Sequence, residues 1–302
     1  MRSKSRGFAA VDILLILMMV VPILSIIVLK VLTTPLSEGI SITGAQIYFT
    51  VPMPLQDLYI TAAQINSWAV IISVLGLCLY MTHGITVKGG TRRQHIAEWV
   101  VQKTEALVKD SMGDFFSGYA PFIASIIAIS AFSSLLSLFG LYPPTSDINI
   151  VGGWAILVFF LITYYKLKGG VGNYLKGFTE PIFVMTPLNI LGEVATPVSM
   201  AFRHYGNVLS GSVIAVLVAS ALQGASSLVL GWLPGVLGEI PFLQIGIPAV
   251  LSAYFDVFSG CMQAYIFAML TMLNVAGGFP AELYEERMKK KLEKKKAKEK
   301  LN

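Results

Sequence analysis

Charge is what this chain lacks most. Of its 302 residues only 13% are Asp, Glu, Lys or Arg, while 55% are hydrophobic. A soluble domain carries about 25% charged residues, so the soluble-enzyme classes drop out and a polytopic membrane protein remains. Cysteine is nearly absent as well. Cys78 and Cys261 stand alone in apolar segments, which excludes a disulfide framework and predicts two small buried hydrophobes. The three histidines, His83, His95 and His204, are scattered, so no metal site is expected. There is no glycine-rich phosphate loop, hence no recognisable ATP-binding motif, and no cofactor is expected. Nor is there an internal repeat, which weighs against the inverted-repeat secondary transporters.

The net charge of +5 comes from one place. Residues 285–302 hold Arg287 and eight lysines against Glu285, Glu286, Glu293 and Glu299, and the rest of the chain is balanced. The body is therefore neutral, and no nucleic-acid partner is expected. Six apolar segments follow one another, at 11–32, 67–85, 121–141, 152–165, 181–222 and 245–276. The last two exceed the roughly 20 residues that a perpendicular span needs, so they must tilt, break or lie partly along the membrane. Pro187, Pro197 and Pro248 mark places for a bend. The fold class is thus an all-α membrane protein of about six hydrophobic helices, the last two long and tilted as a hairpin.

Loop charges orient the chain. Arg2, Lys4 and Arg6 precede the first segment, and Lys88, Arg92, Arg93, Lys103 and Lys109 follow the second. Lys166, Lys168 and Lys176 follow the fourth, and the C-terminal tail is lysine-rich. The alternate loops, near 33–66, 142–151 and 223–244, hold no Lys or Arg. The positive-inside rule then puts both termini in the cytoplasm, and six crossings give the same parity. Lys30, at the outer end of the first segment, is the exception and can snorkel. The first segment is long for a signal h-region and no clear A-x-A site follows, so it reads as an uncleaved signal anchor rather than a cleaved leader. Residues 92–112 place Ile96, Trp99, Val100, Leu107 and Val108 near one face, as in an amphipathic helix on the cytoplasmic surface.

One cation is out of place. Arg203 is the only Lys or Arg between Lys176 and Arg287. At bilayer depth a cation costs about 3 kcal/mol on insertion scales, and such residues are usually kept for an anion or a water path. On a straight helix Thr196, Ser199, Asn207 and Ser210 all fall within about 40° of Arg203, while Ser212 falls on the opposite face. On the sixth segment Asp256, Gln263 and Asn274 lie within about 20° of one line, with Ser259 and Gly260 between the first two. Each polar residue alone is explained as well by helix packing. Arg203 and Asp256 together are not, because a buried ion pair is a weak stabiliser and apolar replacements often serve as well.

The run Pro197-Val198-Ser199-Met200-Ala201-Phe202-Arg203-His204-Tyr205-Gly206-Asn207 resembles the P-x-S-L-x-x-R-L-F-G-N signature of subunit a of the F-type ATP synthases. Pro187-Leu188-Asn189 with Glu193 looks like the stretch that precedes that arginine. Gln263-Ala264-Tyr265-Ile266-Phe267 looks like the family's Q-A-[FY]-[IV]-F run, and Asp147-Ile148-Asn149 like the D-x-N that opens its fourth helix. The resemblance covers roughly 66–280. It leaves 1–65 as an N-terminal anchor with an external loop, and 281–302 as a basic cytoplasmic tail. There are departures. His204 and Tyr205 replace the usual leucine and phenylalanine. Ser212 stands where many members carry an acid, and Asp256 where many carry a histidine.

The resemblance implies a stationary, non-catalytic ion-channel subunit in the inner (plasma) membrane of a bacterium. Its partners would be the c-ring, a b-type stator subunit and membrane lipid, and its cargo H⁺ or Na⁺. Arg203 would separate two half-channels, Asp256, Gln263, Asn207 and Ser212 would belong to the outer one, and Glu193 to the inner. The competing class is an ion-coupled secondary transporter, for which a single intramembrane arginine and aspartate would suit an anionic substrate and a proton relay.

Overall fold

The computed structural model describes residues 2–33, 44–54, 56–87, 90–180, 182–230, 246–286 and 288–289. Most of the 223–244 loop and the lysine-rich tail lie outside the described residues. Helix α1 spans Arg2–Thr33. A small antiparallel hairpin follows, β1 (Ile47–Val51) paired with β2 (Leu58–Thr61). Among the described residues it is the one departure from all-helical structure. Then come α2 (Ala62–Thr82), α3 (Arg92–Met112), α4 (Ala120–Leu135) and α5 (Ile148–Lys168). The short α6 (Val171–Thr179) leads to α7 (Thr186–Leu230), a helix of 45 residues. The last span is composite: α8 (Ile247–Ser252), a π turn over Ala253–Ser259, and α9 (Gly260–Gly277). Among the described residues, six helical stretches are long and apolar enough to cross a membrane, as the sequence predicts.

Local chemistry sets several helix starts. Gln64 Oε1 accepts the Thr61 N–H at 3.2 Å as α2 begins. Asp147 Oδ1 accepts the Asn149 N–H at 2.9 Å and so caps α5, which gives the Asp147-Ile148-Asn149 motif its physical role. Pro187 and Pro248 lie in the first turns of α7 and α8, where a missing N–H costs nothing. Pro22 of α1 and Pro197 of α7 sit inside continuous helices.

The main core gathers Val108 and Met112 of α3, Ile123 of α4, Val158 of α5, Met200 of α7, and Phe267 and Met272 of α9. Helix α3 splits the apolar group that its pattern places near one face. Val108 is buried, whereas Ile96, Trp99 and Val100 are exposed apolar groups on a face suited to a membrane surface. The two cysteines correct the sequence reading, for both are exposed. In a bilayer the outward face of a helix is the apolar one, so a small hydrophobe there needs no core.

Helix α1 is fixed at both ends and in the middle. Near its start, Asp12 accepts from Arg93 at 3.0 Å and lies 3.1 Å from His83 Nδ1. Near its end, Ile26 is buried beside Ala69, Val70, Leu136 and Leu141, and the Lys30 ammonium donates to the Gly140 carbonyl. Lys30 therefore has a specific partner as well as a snorkelling stem. Between these, Gly76 of α2 lies against the α1 backbone, where an added Cβ would sit 3.0 Å from Met19 N. Gly76→Ala should lower the thermal midpoint of the detergent-solubilised protein by the equivalent of about 1–3 kcal/mol through overpacking. Gly153→Ala, whose Cβ would meet nothing within 4 Å, should be neutral or slightly stabilising. Equal midpoints for the two variants would contradict the close α1–α2 approach.

Candidate functional site

Arg203 lies on the exposed face of α7. Its guanidinium has no hydrogen bond or ion pair among the described residues. The neighbours on the inward face are buried: Met200, Ala201 and His204. Successive residues on a helix differ by about 100°, so the same setting that buries His204 turns Arg203 outward. Asp256 does not pair with Arg203. It sits half-buried in the π turn and accepts a hydrogen bond from Ser252, one turn earlier in the same span.

One helical turn beyond Arg203, two predicted site residues, Asn207 and Gln263, meet with Ser259. Asn207 Nδ2 donates to Ser259 Oγ at 3.0 Å and to Gln263 Oε1 at 3.4 Å, while the Ser259 hydroxyl lies 3.2 Å from Asn207 Oδ1. Gln263 is only 3% exposed, so this contact ties α7 to α9 from inside. The helices approach closely here because Gly211 has no side chain: a Cβ would fall 2.9 Å from Phe255. Ser212, next to Gly211, is exposed, and its hydroxyl donates to the Leu209 carbonyl at 2.8 Å. The structure thus joins Asn207, Ser259 and Gln263 and leaves Ser212 outside that hydrogen-bonded set.

On the other side of Arg203 the chemistry is ionic. Glu193 pairs with Lys166 of α5 at 2.8 Å, and the Tyr174 hydroxyl of α6 donates to it at 3.3 Å. The Tyr174 hydroxyl is held above its usual range, first by burial and then by the Glu193 carboxylate. Glu193, Lys166, Tyr174, Asn189 and Thr196 line a cavity of about 510 Å³. A smaller one of about 210 Å³ shares Lys166, Glu193 and Thr196 and adds Asn274. Asn189 also donates to the carbonyls of Phe178 and Glu180 at 2.8 and 3.1 Å, which anchors the start of α7 to α6. Arg203 therefore stands between two polar sets on one helix, Glu193 about 15 Å before it and Asn207 about 6 Å after it by helical rise.

A family model described as "ATP synthase A chain" matches residues 64–275. The chain belongs to that family. Among similar proteins, ATP synthase subunit a 1 of Crocosphaera subtropica is 27% identical over 227 residues, covering 74% of this chain and 89% of its own length. The sodium-ion-specific ATP synthase subunit a of Propionigenium modestum is 26% identical over 287 residues, 84% of this chain and 90% of its own. ATP synthase subunit a of Bacillus pumilus reaches 30% over 220 residues, 68% of this chain and 86% of its own.

The ATP synthase A chain match begins at α2, so α1 lies outside it. It includes Lys166 and Tyr174, which sequence reasoning left as loop residues. Their role comes from a fold that brings α5 and α6 onto Glu193, and only the lysine cluster after the fourth segment hinted at it. The partly buried pair is open to a double-mutant test. Lys166→Met and Glu193→Gln should each destabilise the solubilised subunit by about 1–3 kcal/mol, with the double variant losing clearly less than the sum. Strict additivity in thermal unfolding would contradict the pairing.

Proposed function

We propose that this chain is the stationary ion-translocating subunit a of a rotary F-type ATP synthase in a bacterial plasma membrane, with both termini cytoplasmic. It passes H⁺ or Na⁺ between two half-channels and the carboxylates of a c-ring, beside which a b-type stator subunit holds it. The observation that carries this is an outward-facing Arg203, unpaired among the described residues and flanked along α7 by two separate polar sets. An exposed cation with no partner of its own is available to an acid on another molecule. An ion-coupled secondary transporter is not favoured by the family to which the chain belongs.

The division of labour follows from position. The Glu193–Lys166 cavity, beside the basic connections, serves as the inner path. Asn207, Ser259 and Gln263, with Asp256 and Ser212 toward the outer end, border the outer path. Arg203 favours the ionised form of each arriving carboxylate, because a nearby opposite charge lowers an acid's pKa. It also repels a cation that would pass directly from one path to the other. No covalent step belongs to the chain, since ATP chemistry resides on other subunits.

Arg203→Ala should abolish ATP-driven ion pumping and ATP synthesis in reconstituted vesicles while hydrolysis by the detached catalytic head is unchanged. Arg203→Lys should be severely impaired, because lysine keeps the charge but loses the delocalised, always protonated fork. Asp256→Asn should cut coupled flux strongly without loss of the subunit from the complex. Pumping at wild-type rates by Arg203→Ala would overturn the reading.

A further inference from the structure

Helix α5 ends in two lysines with different tasks. Lys166 pairs with Glu193 in the cavity. Lys168 instead enters a group of rings. Its ammonium lies 4.6 Å from the centroid of Tyr165, 5.1 Å from Tyr164, 5.5 Å from Phe115 and 5.8 Å from Tyr284. All four are within the range at which a ring face attracts a cation. Phe115 stacks on Phe279 with centroids 4.3 Å apart and meets Tyr284 edge-on at 5.6 Å. The cluster therefore ties the end of α5 and the α3–α4 turn to the segment that follows α9.

That segment covers residues 279–286, of which 281–286 are helical. It lies beyond the family match, which ends at 275. Two glycines give it room. Gly169 has an ordinary helical φ of −68°, so its backbone would accept other residues, yet a Cβ there would run into the Pro280 ring. Gly278 packs on the Lys166 stem, where a Cβ would lie 3.2 Å from Lys166 Cγ. Gly278, Pro280 and Leu283 consequently line the same cavity of about 510 Å³ as Glu193 and Thr196. The wall they form is apolar, beside a polar floor. What holds it is on the surface, since Phe115 and Tyr164 are about half exposed. Exposed cation–ring contacts are modest, so one substitution is enough to release the segment.

We propose that the segment after α9 is a latched wall of the Glu193 cavity, with Lys168 as the positioning residue that holds it, and that it bars bulky solutes from the Glu193–Lys166 pair. This rests on the reading of that cavity as the inner path and adds what sizes its entrance. Lys168 supplies the clasp, and Gly169, the next residue, supplies the space that the clasped segment needs.

The test is the reaction rate of a single cysteine, Thr196→Cys, in the full-length protein carrying Cys78→Ser and Cys261→Ser. The protein is held in lipid nanodiscs, which leave both faces open. Aminoethyl methanethiosulfonate is the small probe and its biotinylated form the bulky one, each rate taken relative to the same reagent on a free thiol. In the parent the small probe should react faster than the bulky one. Lys168→Met and Gly169→Ala should each speed the bulky probe about tenfold, the scale of one lost cation–ring contact, and leave the small probe nearly unchanged. Lys168→Arg should behave as the parent, because a guanidinium also stacks on rings. Parent rates for the bulky probe in both Lys168→Met and Gly169→Ala overturn the latch. So does an equal rise for both probes, which is the mark of a loosened fold. Should only one of the two variants purify, its rates decide. Should the parent react with neither probe, reaction of the released variants supports the latch and their silence overturns it. These rates do not depend on ion flux, so their failure leaves the rotary reading to the Arg203→Ala pumping assay.

Discussion

The unpaired charge of Arg203 is the constraint around which this subunit is arranged. A cation inside a membrane-spanning helix costs several kcal/mol unless something meets it. Within this chain, among the described residues, nothing does. The neighbouring carboxylates are occupied elsewhere: Glu193 by Lys166 and Tyr174, and Asp256 by the Ser252 hydroxyl. Had either acid reached Arg203, a self-contained ion pair would have left little charge for another molecule. The fold keeps the two acids in place and the arginine free.

Keeping it free requires a fixed rotation of α7, and small residues provide it. Gly211 lets Phe255 against the helix, and Gly260 lets α9 against Ser134 of α4. Asn207 then reaches Ser259 and Gln263 across the gap. The π turn at Ala253–Ser259 lies at the same level and carries Asp256. An extra residue per turn shifts the face on which later side chains emerge, and such bulges recur at functional sites. The inward register that buries His204 and the outward register that exposes Arg203 are one setting of one helix.

Much of this was legible in the sequence because bilayer physics is simple. Long apolar stretches separated by charged or turn-rich loops gave six spans, and the helical periodicity put Asn207 and Gln263 on polar seams, where they meet. The D-x-N motif opened α5 as the resemblance implied. Other features depended on tertiary packing, which a one-dimensional pattern does not encode. Periodicity placed Asp256 on a straight-helix line with Gln263, whereas the π turn interrupts that line. The lysines after α5 read as topology signals, and only the fold shows Lys166 turned onto Glu193. The cysteines were assigned to a core by a rule for water-soluble proteins, and the bilayer reverses that rule. His204 stood out in the sequence as a departure, but its surroundings come from three other helices, α4, α5 and α9.

The central claim is that Arg203 keeps two aqueous paths from joining, and passive leak tests it most directly. With the catalytic head removed and the rotor locked to the stator by a cross-link, ion conductance through reconstituted membrane sectors would be compared between wild type and Arg203→Ala. The account predicts tight wild-type sectors and a steady leak through Arg203→Ala that needs no rotation. Locked Arg203→Ala sectors as tight as wild type would contradict it.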